Sequence, residues 1–79
     1  MNIFLDGKSD RKAVATLARC KHPENEGLLL LFKQILEETK LSLIEADGDH
    51  FRRLQGRAKV LHDFLEAVEK APSTLERMR

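Results

Sequence analysis

The sequence predicts an all-α fold: a long antiparallel helical hairpin preceded by a short N-terminal helix. Three observations carry this. The apolar residues are mostly Leu and Ala, both strong helix formers. They recur at three- and four-residue spacings through two long stretches, which is the period of a helix and not the alternation of a strand. Between those stretches lies Asp47-Gly48-Asp49, the strongest turn signal in the chain. A loop that short makes the helices it joins antiparallel neighbours.

Residues 2–8 read as a short arm, with Ile3, Phe4 and Leu5 as a stub able to pack on a neighbour and Asp6-Gly7 as a turn. Ser9 is the expected N-cap of a first helix, α1, over about 10–20, and Asp10 falls in its first turn, where the helix dipole favours an acid. Ala13, Val14, Leu17 and Ala18 form one narrow apolar face, opposite Arg11, Lys12 and Arg19. Lys21, His22 and Pro23 break this helix. Proline is tolerated in the first turn of the next, because its missing N–H had no helical partner there.

A second helix, α2, is expected over about 23–46, opened by Glu24 and Glu26. Its stripe is Leu28, Phe32, Ile35, Leu36, Thr39 and Leu43, widened by Leu29 and Leu31, with Lys33, Glu37 and Lys40 facing away. Leu30, Leu41 and Ile44 fall on the far side, where a helix with one neighbour is polar. Their presence predicts a second contact, with α1 or with another copy of the chain.

Gly48 suits the left-handed conformation that ends a helix, and Asp49 is placed to cap the next. That third helix, α3, is expected over about 49–71. Phe51, Leu54, Ala58, Leu61, Leu65 and Val68 make one stripe, and Val60, Phe64, Ala67 and Ala71 an adjacent one. Together they cover more of the circumference than one neighbour requires. Gly56 costs about 1 kcal/mol relative to Ala in a helix, so a close backbone approach is expected there. Pro72 is expected to end α3, leaving Ser73 to Arg79 as a short turn or a frayed end.

With 79 residues the chain makes a single domain over 1–79, small enough to be marginal alone. A hairpin of such helices is about 33–36 Å long at 1.5 Å per residue, and its interior is too small to bury both wide faces. Self-association is therefore expected, most simply as an antiparallel four-helix bundle of two hairpins. Leu30, Leu41, Ile44, Val60 and Phe64 are the expected interface.

Composition narrows the function classes. Net charge is +1, so no global field draws the chain to nucleic acid. Locally the charge runs basic, acidic, basic: residues 1–22 hold five Lys/Arg and two Asp, 23–49 seven acids and two Lys, and 50–79 seven Lys/Arg and four acids. This reads as ion pairing between neighbouring helices or between copies. The single cysteine, Cys20, forms no internal disulfide and reads as a small buried apolar residue, consistent with a reducing compartment. The opening MNIFLDGKSDRK lacks the apolar core of a signal peptide, and the longest apolar run, Leu28 to Phe32, is far short of a bilayer span.

Candidate chemistry is sparse. Cys20-Lys21-His22 is too tight for a zinc pattern, and His50 and His62 point in different directions along one helix. His62 and Glu66 read as a surface pair one turn apart. Glu37-Glu38 lies on a solvated face, Asp47 and Asp49 in a turn, and the isolated glycines make no phosphate loop. No catalytic residue, metal or cofactor is expected. The segment HFRRLQGRAK gathers Arg52, Arg53, Arg57 and Lys59, with Gln55 placed to read a base edge and Lys8, Arg11 and Lys12 able to add phosphate contacts. The competing reading, that these arginines pair with the acids of α2 or of a partner, is preferred because the chain lacks net basic charge.

HPENEGLLLLFKQILEE and FRRLQGRAKVLHDFLEAV together resemble small helical proteins encoded among the head and tail genes of tailed bacteriophages. The likeness spans about residues 20–69 and is most specific at Arg53-Leu54-Gln55-Gly56-Arg57-Ala58. It implies a viral context, in the virion or in the cytoplasm of a bacterial host, and attaches no chemistry. The sequence as a whole predicts a non-catalytic protein–protein interaction module that presents apolar helix faces, as a virion or assembly component or as an antagonist of a host protein. The alternative is a small nucleic-acid-binding regulator that uses the basic residues of α3.

Overall fold

A computed structural model describes residues 2–5 and 10–78. The described chain is all-α: α1 spans Arg11–Arg19, a single 3₁₀ turn Pro23–Asn25, α2 Glu26–Glu45 and α3 Gly48–Arg77. The turn expected at Asp6-Gly7 and the cap expected at Ser9 lie outside the described residues. The side chain that caps α1 is that of Asp10, whose Oδ1 accepts from the Ala13 N–H at 2.7 Å.

Helix α2 begins three residues later than the sequence suggests, because Pro23 starts a tighter turn. His22 Nδ1 accepts from the Glu24 N–H at 3.2 Å, and the Asn25 N–H reaches the His22 carbonyl at 2.8 Å. The connection to α3 turns at Gly48, whose φ of +56° is left-handed. Asp47, not Asp49, occupies the N-cap position, and its carbonyl accepts from the Phe51 N–H at 3.1 Å.

Helix α3 runs through Pro72 to Arg77, beyond the end the sequence suggested. Pro72 has no N–H to give the Val68 carbonyl, but it is exposed, and half-buried Thr74 and Leu75 hold the following turn. Thr74 Oγ1 also donates to the Lys70 carbonyl at 3.0 Å. Nothing lies within 4 Å of a Cβ built at Gly56, so no close approach explains that glycine.

The longest helix is the spine. Helices α1 and α2 each pack on α3 and do not pack on one another. The result is a thin slab whose Cα atoms span 46 × 28 × 14 Å, one layer of helices where most domains have at least two. Its radius of gyration is 14.3 Å, against about 11.6 Å for a compact domain of this length. Val14, Leu54, Ala67, Val68 and Ala71 form the core with Leu36. Thr39 is buried beside them, and its hydroxyl donates to the Ile35 carbonyl at 2.8 Å, which removes the penalty of an unpaired polar group.

The chain exposes 5975 Å². A folded monomer of this mass exposes about 4,900 Å². The slab leaves roughly 1,100 Å² more surface in water than a self-contained globule of this size.

Candidate interaction surface

Helix α2 carries two stripes on opposite sides. The inner one, Leu29, Phe32, Leu36, Thr39 and Leu43, is buried or half-buried against α3. The outer one holds three of the residues singled out from the sequence. Leu30 is 55% exposed, Leu41 66% and Ile44 80%. Helix α1 does not cover them, since it lies against α3 and away from α2. Gly27, Gln34 and Glu37 fall between and beside them, all exposed. The series 27, 30, 34, 37, 41, 44 alternates steps of three and four, the repeat of a coiled-coil seam.

The other two residues expected at the interface behave differently. Val60 on α3 is 49% exposed. Phe64 is half-buried within its own chain. Its ring meets Phe4 at 5.6 Å and 75° and Phe32 at 5.5 Å and 88°, both edge-to-face. Phe64 thus joins the N-terminal arm to the hairpin.

A residue that sequence reasoning passed over anchors the same arm. Asp63 is 4% exposed. Its Oδ2 accepts from the Ile3 N–H at 3.2 Å, and its backbone carbonyl accepts from Asn2 Nδ2 at 2.8 Å. Asn2 Oδ1 in turn accepts from the Phe4 and Leu5 N–H groups, at 2.8 and 3.1 Å, which shapes the arm as a turn. Lys59 Nζ lies 3.1 Å from Asp63 Oδ2, and His62 Nδ1 3.4 Å from Oδ1. Burial pushes the Asp63 carboxyl up, but the Ile3 N–H, Lys59 and His62 outweigh it and hold the group below its ordinary value. The only sequence signal was an acid at the edge of an apolar stripe.

The basic residues of α3 do not form one patch. At about 100° per residue, Arg52 and Lys59 share one side and Arg53 and Arg57 another, roughly 130° away. Lys59 is engaged with Asp63. Among the described residues no acid lies within ion-pair distance of Arg52, Arg53 or Arg57, so the expected pairing with the acids of α2 does not form. Lys21 Nζ lies 2.9 Å from Glu69 Oε1, an ion pair that joins the turn after α1 to α3. Lys21 holds the Glu69 carboxyl below its usual value.

Compared with family models, curated proteins and solved structures, the chain finds no match in any of the three.

The remaining candidates are plainly placed. Among the described residues no cluster of three or more His, Cys, Asp or Glu is arranged to hold a metal ion. Cys20 is half-buried, its Sγ 3.6 Å from the Thr16 carbonyl at the end of α1. An open hollow beside the arm is lined by Asn2, Leu5, Lys59, Asp63, Glu66 and Lys70 among others. Lys70 there pairs with Glu66 at 3.1 Å, as Lys59 does with Asp63. Among the described residues no helix is long and apolar enough to cross a membrane.

Proposed function

We propose that the chain is a non-catalytic protein–protein interaction module that works through the outer face of α2. The observation that carries this is the exposure of Leu30, Leu41 and Ile44 along one stripe, on a slab with roughly 1,100 Å² of surplus surface. Large apolar side chains collected on one face mark an interaction site, whereas scattered ones need no explanation. The natural setting is a virion or assembly component of a tailed bacteriophage, or an antagonist of a host protein in the bacterial cytoplasm. The likeness at residues 20–69 is what suggests that setting.

The test is the solution mass by light scattering, for the native chain and for a Leu30→Ser, Leu41→Ser, Ile44→Ser variant. The native chain is expected to associate with rising concentration, and the variant to stay monomeric with unchanged helix content. Association of the variant as strong as that of the native chain would remove the outer face of α2 as the working surface.

A second reading has one observation in its favour: Arg52, Arg53 and Arg57 lack acidic partners among the described residues. A nucleic-acid-binding regulator would use them for phosphate contacts, with affinity falling steeply as salt rises. Their division between two sides of α3 weakens a single-groove contact. A low-salt mobility-shift titration with no complex formed would eliminate it.

A further inference from the structure

The occupant of the α2 face is identifiable from the charges that border it. With Gly27 at heptad position a, the seam reads Gly27, Leu30, Gln34, Glu37, Leu41 and Ile44 at successive a and d positions. The flanking g positions are then Glu26, Lys33 and Lys40, and the e positions Leu31, Glu38 and Glu45. In a parallel pair of helices, each g residue faces the e residue five places further along its partner. Lys33 then meets the partner's Glu38, and Lys40 meets the partner's Glu45. By symmetry both pairs form twice. The reversed, antiparallel pairing sets g against g and e against e, so Lys33 would face the partner's Lys40.

We propose that the occupant is a second copy of this chain, docked α2 against α2 in parallel and in register. This deepens the interaction reading above and rests on it. The chain as a whole exposes about 1,100 Å² more than a compact monomer of its mass, an excess of the same order as the ~800 Å² each partner gives up in an ordinary specific interface. Position 34 brings two glutamines together, a layer that favours one register over its slipped alternatives, as a polar a residue does in a coiled coil. Glu37 is the costly member, because each copy brings a carboxylate to the same layer. Lys40 Nζ lies 3.4 Å from Glu37 Oε1 within one chain, so a lysine is already placed to offset part of that repulsion.

Two sets of variants test orientation and occupant together. In a Cys20→Ala background, Gln34→Cys places one thiol at the seam of each copy. In parallel register the two stand across from each other within disulfide range, which needs Cα atoms closer than about 7 Å. Mild oxidation is expected to give a covalent dimer on a non-reducing gel, and the same substitution at exposed Gln55 on α3 is expected to give none. Lys33→Glu is expected to weaken dimerisation about three- to tenfold by sedimentation equilibrium, and Glu38→Lys in the same chain to restore it. If Lys33→Glu instead tightens the dimer and Gln34→Cys stays uncrosslinked, the copies pair in reverse and the proposal falls, although the interaction reading stands. A native chain that stays monomeric to millimolar concentration overturns the second copy as occupant. Association that survives the triple-serine change overturns the interaction reading itself.

Discussion

Removing the Phe64 ring is the most direct way to ask whether the arm and the hairpin fold as one unit. Phe64 stands between Phe4 and Phe32, at 5.6 and 5.5 Å, with both neighbours edge-on. Truncating a fully buried Phe to Ala costs about 3–5 kcal/mol. Phe64 is half-buried, so Phe64→Ala is expected to cost about 2–3 kcal/mol, of which the two ring contacts supply roughly 0.5–1.5 each. A chain of this size is stable by only ~4–12 kcal/mol, so the loss is a large share and lowers Tm by about 8–24 °C. The assay is urea and thermal unfolding followed by far-UV circular dichroism, in the Leu30→Ser, Leu41→Ser, Ile44→Ser background so that association adds nothing to the apparent stability. Phe4→Ala alone is expected to cost about 1 kcal/mol, and the Phe4/Phe64 double-mutant cycle to return a coupling of ~0.5–1.5 kcal/mol. A Phe64→Ala loss below about 1 kcal/mol, or a coupling indistinguishable from zero, would show that the arm is not seated on this ring and would refute the reasoning.

Other expectations can be checked by the same unfolding measurements. Gly48 has φ +56°, so Gly48→Ala should destabilise by about 1–2 kcal/mol. Gly56 is helical with open space around it, so Gly56→Ala should stabilise by about 0.5–1 kcal/mol, and a loss there would expose an unseen contact. Asp10→Ala removes the α1 cap and should cost about 1 kcal/mol; an effect within error would mean that other groups satisfy the helix end. Asp63 titrates below its ordinary 3.8 in the folded chain, so its contribution is complete above that value and disappears as pH falls through the lower folded one. The urea midpoint of Asp63→Asn should therefore fall less between pH 5 and about pH 2 than that of the native chain. Parallel slopes would exclude the Asp63 anchor.

Periodicity made the helices legible, since Leu and Ala at three- and four-residue spacings admit little else. It separated the two faces of α2 in part: the 100° step that puts Leu36 and Thr39 inside forces Leu30, Leu41 and Ile44 outside, but Leu28 and Leu31, expected with the inner stripe, are also exposed. What it left hidden depended on contacts distant in sequence. Asp63 reads as one more charge on a helix until Ile3, some sixty residues earlier, lays its N–H on the carboxylate. Phe64 looked like surplus apolar surface because nothing in the sequence says that the arm folds back to meet it. Pro72 looked like a terminus because the rule against proline in helices concerns its own missing bond, whereas packing of Thr74 and Leu75 carries the helix past it. The arginines of α3 are adjacent in the sequence, yet helical geometry divides them.

The slab explains why the seam on α2 is unfilled. A third helix completes a core when it lies in the groove between the other two, touching both. Here α1 lies beside α3, with α2 on a separate flank, and Ala67 and Ala71, one turn apart on α3, are fully buried. The groove position is left to the arm, whose Phe4 reaches Phe64. An arm of a few residues closes the inner side of the hairpin but cannot turn the corner to the back of α2. The apolar residues there then have only water or a partner, and the two polar layers at Gln34 and Glu37 limit how tightly a partner can hold. A seam of that composition suits an association that forms in one register and reverses readily, whereas an unbroken leucine seam would be tighter but less selective about its register.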